Sequence, residues 1–158
     1  MKLVMHKPRG IRHRRIPPLS LWLAYLAMLP IAAASLLALY LDRESLPPLI
    51  RLDSLWCGGL LCFFAGVRRG LSFRQQGGPR MAQLAGMMWL FLLGIGTLVS
   101  AGGPLALLIA LLGFASMIPL DEAAARDAEA PRYFARLRRM QMWVPVVSLS
   151  IMIAKMAA

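Results

Sequence analysis

The feature that most constrains this chain is a run of 23 residues without a charged side chain, at positions 19–41. A helix of that length rises about 35 Å at roughly 1.5 Å per residue, which exceeds the ~30 Å hydrocarbon core of a bilayer. Four further apolar runs follow it along the chain. The pattern predicts an all-α fold. The chain is expected to be a polytopic membrane protein that forms a bundle of about five transmembrane helices. The predicted spans are residues 19–41, 48–67, 84–101, 104–120 and 140–157.

Composition excludes a soluble domain. Hydrophobic residues make up 59% of the 158 positions and the mean hydropathy is +0.63, whereas soluble domains contain roughly 45–50% apolar residues. The net charge of +11 would suggest nucleic acid in a soluble protein. Here the basic residues flank apolar runs, so the predicted partner is an anionic lipid bilayer and not nucleic acid.

The domain organisation follows from the first run. Residues 1–18 form a basic tail, and residues 19–158 form a single transmembrane helical domain. A secretory signal is the alternative for the start, because six Lys and Arg precede the run and "AAAS" at 32–35 resembles a cleavage site. The run is longer than the roughly 7–15 residues of a signal core and more spans follow, which favours a retained first helix.

Loop charges orient the predicted bundle. Three segments carry more basic than acidic residues: six against none in residues 1–15, four against none in 68–83, and five against four in 121–139. Residues 42–53, in contrast, contain two basic and three acidic residues. The positive-inside rule therefore predicts a multi-pass protein with a cytoplasmic N-terminus and a periplasmic C-terminus. The alternative is a mitochondrial protein whose N-terminus lies on the matrix side. Loop charge does not test whether the third–fourth hairpin spans fully, and Pro145 interrupts the fifth apolar run.

The second span closes on "FFAGVRRG", where two adjacent arginines end an apolar run. An arginine at mid-bilayer costs about 2.5–3.5 kcal/mol on insertion scales, so Arg68 and Arg69 are predicted to reach lipid headgroups at the boundary. Small residues recur every fourth position along this span and predict a close helix-packing face, so that Gly66→Leu should destabilise the protein. The simpler alternative is that glycine is frequent in membrane helices and that the spacing marks no packing face. The strip consists of Ser54, Gly58, Cys62, Gly66 and Gly70.

The segment 131–144, "PRYFARLRRMQMWV", combines an apolar stripe with a basic face. The pattern predicts an interfacial helix before the last span, attracted to anionic lipid by about 1 kcal/mol per basic residue. The alternative is that these basic residues merely flank the last span on its cytoplasmic side and form no interfacial helix. The predicted stripe is Tyr133, Leu137, Met140 and Val144, and the predicted headgroup contacts are Arg132, Arg136 and Arg139.

Three short motifs occur in order: "LAYLAMLPI", "FFAGVRRG" and "PRYFARLRR". By this set, the chain resembles the uncharacterised transmembrane protein 69 family of bacterial inner-membrane and mitochondrial proteins over about residues 19–154. The resemblance implies a polytopic fold, a place in the cell inner membrane and no particular reaction.

Residues that carry chemistry are sparse. His6 and His13 lie in the basic tail, and Cys57 and Cys62 are about 140° apart on a helix, so no metal site is predicted. No catalytic or cofactor-binding motif is present, and Asp53 is expected to pair with Arg51 or to lie at a helix start.

We therefore expect a non-enzymatic protein without a cofactor. An accessory, assembly or scaffold role is favoured, in a membrane-protein complex or a homo-oligomer. The alternative is a small-solute or lipid-handling transporter, which usually requires ionisable groups inside its spans.

Overall fold

A computed structural model of the chain describes residues 18–73, 78, 80–126 and 132–157, and every regular element in them is helical. The helices are α1 (Pro18–Leu26), α2 (Leu29–Tyr40), α3 (Leu46–Ser72), α4 (Met81–Val99), α5 (Pro104–Arg126) and α6 (Arg132–Ala157), with a 3-10 turn at Arg43–Ser45 before α3. Five segments are long and apolar enough to cross a membrane: Leu21–Tyr40, Arg43–Ser72, Met81–Val99, Pro104–Arg126 and Leu137–Ala157. The predicted fold class and number of spans are confirmed, and the chain is a multi-pass membrane protein.

The spans alternate in direction, so their connections lie at two ends of the bundle. At one end, here called the turn end, the 3-10 turn joins α2 to α3 and residues 100–103 join α4 to α5. Gly102 has a φ of 102°, a left-handed conformation that glycine adopts without strain, and Pro104 begins α5 as the sequence predicts. The opposite end, here called the loop end, contains the α3–α4 and α5–α6 connections.

Helix α3 is the element around which the others pack. It contacts α2, α4 and α5, and its contact with α4 is the most extensive in the bundle. Helix α6 packs against α5 and α2 and thereby closes the bundle. The α3–α4 crossing is close because it is built from glycines: a Cβ placed on Gly94 would lie 2.6 Å from the Cys62 Sγ and 3.0 Å from the Gly58 carbonyl oxygen. Small side chains let the two backbones approach, and dispersion then stabilises the contact.

The first span is broken between α1 and α2, at Ala27–Met28. Pro30 has no backbone N–H to donate, which weakens the helix one turn before it. Two carbonyls near the break are satisfied by side chains from other helices. The Trp56 Nε1 of α3 donates to the Ala27 carbonyl at 3.0 Å, and the Gln141 Nε2 of α6 donates to the Ala24 carbonyl at 2.8 Å. Backbone groups in a bilayer need such partners, so the break depends on α3 and α6.

Several helices continue past the boundaries that hydropathy predicts, and α5 is one of them because it ends at Arg126. Helix α3 passes Arg68 and Arg69 and ends at Ser72. The basic segment predicted as an interfacial helix is the start of α6, which runs without interruption through the buried Pro145 to Ala157. Leu137 of the predicted apolar stripe is buried, but Met140 is 61% exposed. The side chain of Tyr133 lies outside the described residues.

Candidate functional site

An apolar groove lies between α2 and α3 towards the turn end. Its cavity volume is about 500 Å³, within the roughly 300–1,000 Å³ of small-molecule sites. Several of its lining side chains are exposed on the outer surface of the bundle, so the groove opens where a bilayer would lie. It is lined by Pro30, Ala33, Ala34 and Leu37 of α2 and by Leu49, Leu52, Asp53, Leu55 and Trp56 of α3. These residues are called the Asp53 groove below.

Asp53 is the single ionisable residue among those lining residues. Its side chain is 3% exposed, and neither carboxyl oxygen has a hydrogen-bond partner among the described residues. The predicted ion pair with Arg51 is not formed; the Arg51 stem instead lies beside Gly102, with Cβ 3.6 Å from the position of a Cβ there. Asp53 lies seven residues into α3, about 10 Å from its start at 1.5 Å per residue. It therefore lies within the candidate span Arg43–Ser72.

Trp56 connects the groove to the break in the first span. It lines the groove one turn after Asp53, while its indole N–H is held by the Ala27 carbonyl. This hydrogen bond holds the indole ring of a groove-lining residue in place. The groove thus combines an apolar lining, an aromatic ring and a carboxyl group that lacks a partner in the described chain.

A second group of charges lies near the loop end and joins three helices. The Asp121 Oδ1 of α5 accepts a hydrogen bond from the Arg68 Nη1 of α3 at 2.7 Å. The Arg138 Nε of α6 lies 3.8 Å from the Asp121 Oδ2. The Arg138 guanidinium also stacks over the Phe64 ring, 4.0 Å from its centroid. The Arg68, Asp121 and Arg138 side chains are at most 12% exposed. These three residues form the Asp121 cluster.

The Asp121 cluster fixes helices to one another. Removing one partner of a buried ion pair leaves the other charge uncompensated, which typically costs about 3–5 kcal/mol. Phe64 adds a cation–π contact, and its ring packs edge-on against Phe114 of α5 at a centroid distance of 6.5 Å. The cluster therefore holds α3, α5 and α6 in register at this end of the bundle.

A family model described as "Protein of unknown function (DUF3429)" matches residues 16–154, which include both the Asp53 groove and the Asp121 cluster. The chain belongs to this family. Searches of curated proteins and of solved structures returned no match. The groove and the cluster thus both lie within the domain that matches DUF3429.

The arginines predicted to contact headgroups lie in different surroundings in this DUF3429 chain. Arg68 points into the bundle and pairs with Asp121. Arg69 donates to the Ser72 hydroxyl at 3.3 Å and lies over the Phe73 ring, whereas the exposed Arg139 pairs with Glu122 at 2.6 Å. The side chains of Arg132 and Arg136 lie outside the described residues. Headgroup contact at Arg69 and Arg139 stays a prediction, whereas Arg68 has an internal partner.

The predicted small-residue strip divides into two parts. Ser54 and Gly58 are buried, and the Cys62 side chain lies against Gly94 of α4. At Gly66 and Gly70 an added Cβ would meet no described atom within 4 Å. Ser54 to Cys62 therefore face α4 and the bundle interior, and a packing role for the last two glycines stays a prediction about a second chain.

Sequence reasoning missed both residues: Asp121 was assigned to a charged loop, and Arg138 to the basic segment 131–144 of an interfacial helix. A signal was present in α6: extending the buried face of Met152, Leu149, Pro145 and Gln141 towards the helix start at spacings of three and four leads to Arg138. A corresponding signal is present in α5, because the buried face of Ala110, Phe114 and Met117 leads to Asp121 at spacings of four, three and four.

Within the described ranges, the remaining polar residues indicate no further site. Thr97, Ser100 and Ser116 donate to carbonyls three or four residues earlier in their own helices. Cys57 and Cys62 are free, and in the described ranges no three His, Cys, Asp or Glu residues are placed to hold a metal ion. His6 and His13 lie outside those ranges.

Proposed function

We propose that this DUF3429 protein binds a small amphiphilic molecule from the bilayer, as a lipid-handling or small-solute transport protein. The single observation that carries the proposal is the buried carboxyl group of Asp53 within an apolar groove. An ionisable residue inside a span is costly, and in membrane proteins such residues mark substrate or ion pathways. The sequence alone favoured an accessory role because no such residue was recognised.

The broken first span supports the same proposal. Transporters commonly bind substrates beside discontinuous helices, whose unwound backbone leaves polar groups available within the membrane. Here the break at Ala27–Met28 lies beside the groove and is joined to it through Trp56. A rearrangement of α1 relative to α2 would therefore act directly on the groove.

The experiment compares molecules retained by purified protein. The protein is extracted in a sugar-headed detergent, and bound small molecules are identified by native mass spectrometry and solvent extraction. Ala33→Leu adds three carbons within the groove, so we expect it to lose a molecule that the parent retains. Ala85→Leu, also at an exposed alanine but on α4, is the matched control. Equal retention by all three proteins would contradict the proposal.

A scaffold or assembly role is the second candidate, favoured by the outer face of α3. Gly59, Gly66 and Gly70 are exposed there, and an added Cβ at each would meet no described atom within 4 Å. Glycines on a lipid-facing surface allow close approach of another helix, from a second copy or a membrane-protein complex. Native purification distinguishes the candidates, because stable association with a larger assembly favours this one.

The cellular setting is also part of the proposal. Loop charges support a cytoplasmic N-terminus and an anionic lipid surface at the loop end. The resemblance to the transmembrane protein 69 family supports the cell inner membrane. The composition supports a non-enzymatic protein without a nucleic-acid partner, and the three sequence motifs support membership of the transmembrane protein 69 family.

A further inference from the structure

We infer that the Asp53 groove selects amphiphiles with a positively charged head group, namely single-chain or comparably small lipophilic amines and quaternary ammonium compounds. This inference rests on the proposed function and adds the chemical class of the ligand. It depends on charge complementarity between the groove and its ligand, on the groove's volume and on the side from which the groove opens.

Charge complementarity comes from Asp53. Its two carboxyl oxygens are buried and accept no hydrogen bond from the described chain, so the groove itself provides no compensating donor or cation. Arg51, the nearest basic residue in sequence, is exposed and lies against the turn at Gly102. A buried carboxylate is stabilised by a cation that enters an otherwise apolar site, whereas an anionic head group would be repelled.

Trp56 also favours a ligand with a positively charged head group. The face of an indole ring attracts ammonium groups, and the attraction increases where water is excluded. Trp56 lines the groove beside Asp53 and is held in place by its hydrogen bond to Ala27. A carboxylate and an indole ring in one apolar groove together suit an ammonium head with an alkyl tail.

The size and opening of the groove define the rest of the ligand. A cavity of about 500 Å³ fits a drug-sized or single-chain molecule. The lining residues Leu37, Leu52 and Leu55 are exposed on the outside of the bundle, so the ligand enters from the hydrocarbon region. We therefore commit to a single-chain lipophilic cation and not to a two-chain phospholipid.

The test is equilibrium dialysis of the purified full chain in dodecyl maltoside, whose sugar head carries no ammonium group. The probes are octyltrimethylammonium and the uncharged 1-octanol, with detergent micelles alone as the blank. We expect the parent to bind the cation more tightly than the alcohol. Asp53→Asn, which is nearly isosteric, should weaken binding of the cation at least about tenfold, the loss of one favourable charge interaction, and leave octanol binding unchanged.

Asp42→Asn is the matched control, because Asp42 is an exposed acid at the turn end and outside the groove. It should leave binding of the cation unchanged. An equal loss with Asp42→Asn would show that general surface charge attracts the probe and would overturn the inference. A folded Asp53→Asn protein that binds the cation as the parent does would also overturn the inference. So would a competition experiment in which dioctanoyl phosphatidylethanolamine displaces bound octyltrimethylammonium more effectively than added octyltrimethylammonium does.

The two proposals fail in different ways. If both probes bind equally well and Ala33→Leu weakens both, the groove takes amphiphiles without regard to charge, so the cation inference is overturned and the proposed function stands. If neither probe binds the parent more than it binds Ala33→Leu, the proposed function falls as well. Thermal unfolding of each variant establishes that it is folded before binding is compared.

Discussion

The Arg68 guanidinium and the Asp121 carboxylate lie 2.7 Å apart although 53 positions separate them in sequence. Each follows a long apolar stretch in its own helix, and both side chains point into the bundle. A second arginine, Arg138, approaches the same carboxylate from α6. Three helices that are distant in sequence are thus joined through one acidic side chain near the loop end.

We expect Asp121→Asn to destabilise the protein by about 3–5 kcal/mol, because the buried Arg68 would lose the carboxylate with which it pairs. Thermal unfolding in detergent measures the loss. Glu122→Gln is the matched control: its pair with Arg139 is solvent-accessible, so its removal should cost about 1 kcal/mol or less. Similar unfolding temperatures for the two variants would contradict the structural role of the cluster.

Glycines on α3 and α4 should respond differently to the same substitution. Gly94→Ala places a Cβ 2.6 Å from the Cys62 Sγ and 3.0 Å from backbone atoms, and such overpacking typically costs about 1–3 kcal/mol. Gly66→Ala meets open space and gains up to roughly 1 kcal/mol of helix propensity. This differs from the loss that the glycine spacing alone predicts at Gly66. Unfolding of the purified monomer in detergent distinguishes the two expectations.

Trp56→Phe should destabilise the protein by about 1–3 kcal/mol, because it keeps an aromatic ring but leaves the Ala27 carbonyl without the indole donor. Trp89→Phe is the comparison. The Trp89 indole donates to the Ser116 hydroxyl at 3.1 Å, and that hydroxyl keeps its own bond to the Gly113 carbonyl. Loss of the Trp89 hydrogen bond should therefore destabilise the protein less than loss of the Trp56 hydrogen bond. If Trp89→Phe proves the more harmful change in thermal unfolding, the Trp56 bond does not stabilise the break.

Reporter fusions test the proposed threading. A reporter active in the periplasm should work when inserted at Ser45 or fused after Ala158, and should be inactive after Gly77 or Ala128. The reason is the distribution of basic residues, which the positive-inside rule retains in the cytoplasm. Activity after Ala128 would contradict a five-span protein with a cytoplasmic N-terminus.

Sequence reasoning predicts the number of spans and the tight turn between α4 and α5 because both depend on local properties. Apolar length determines the first, and Gly102 followed by Pro104 determines the second. Helix ends are predicted less well. Charges were taken to mark the membrane boundary, yet α3 continues beyond Arg69 to Ser72 and α5 continues through Asp121 to Arg126.

The candidate site depends on contacts that no local pattern specifies. Asp53 resembles an ordinary interfacial acid until α2 is packed against α3 and the Arg51 side chain is seen to lie elsewhere. Arg138 resembles one more basic flank until α6 is placed beside α5. In both cases the charge is recognisable in the sequence, whereas its burial is a property of the assembled bundle.

The break in the first span also has a consequence for the order in which the chain matures. During synthesis α1 and α2 are the first of the described helices to leave the ribosome. The donor for the Ala24 carbonyl is made 117 residues later, on α6, and the donor for the Ala27 carbonyl 29 residues later, on α3. The first of the described membrane segments therefore obtains its Gln141 donor only after α6, the last of them, has been made, and a nascent chain that stops before α6 leaves the Ala24 carbonyl without this donor.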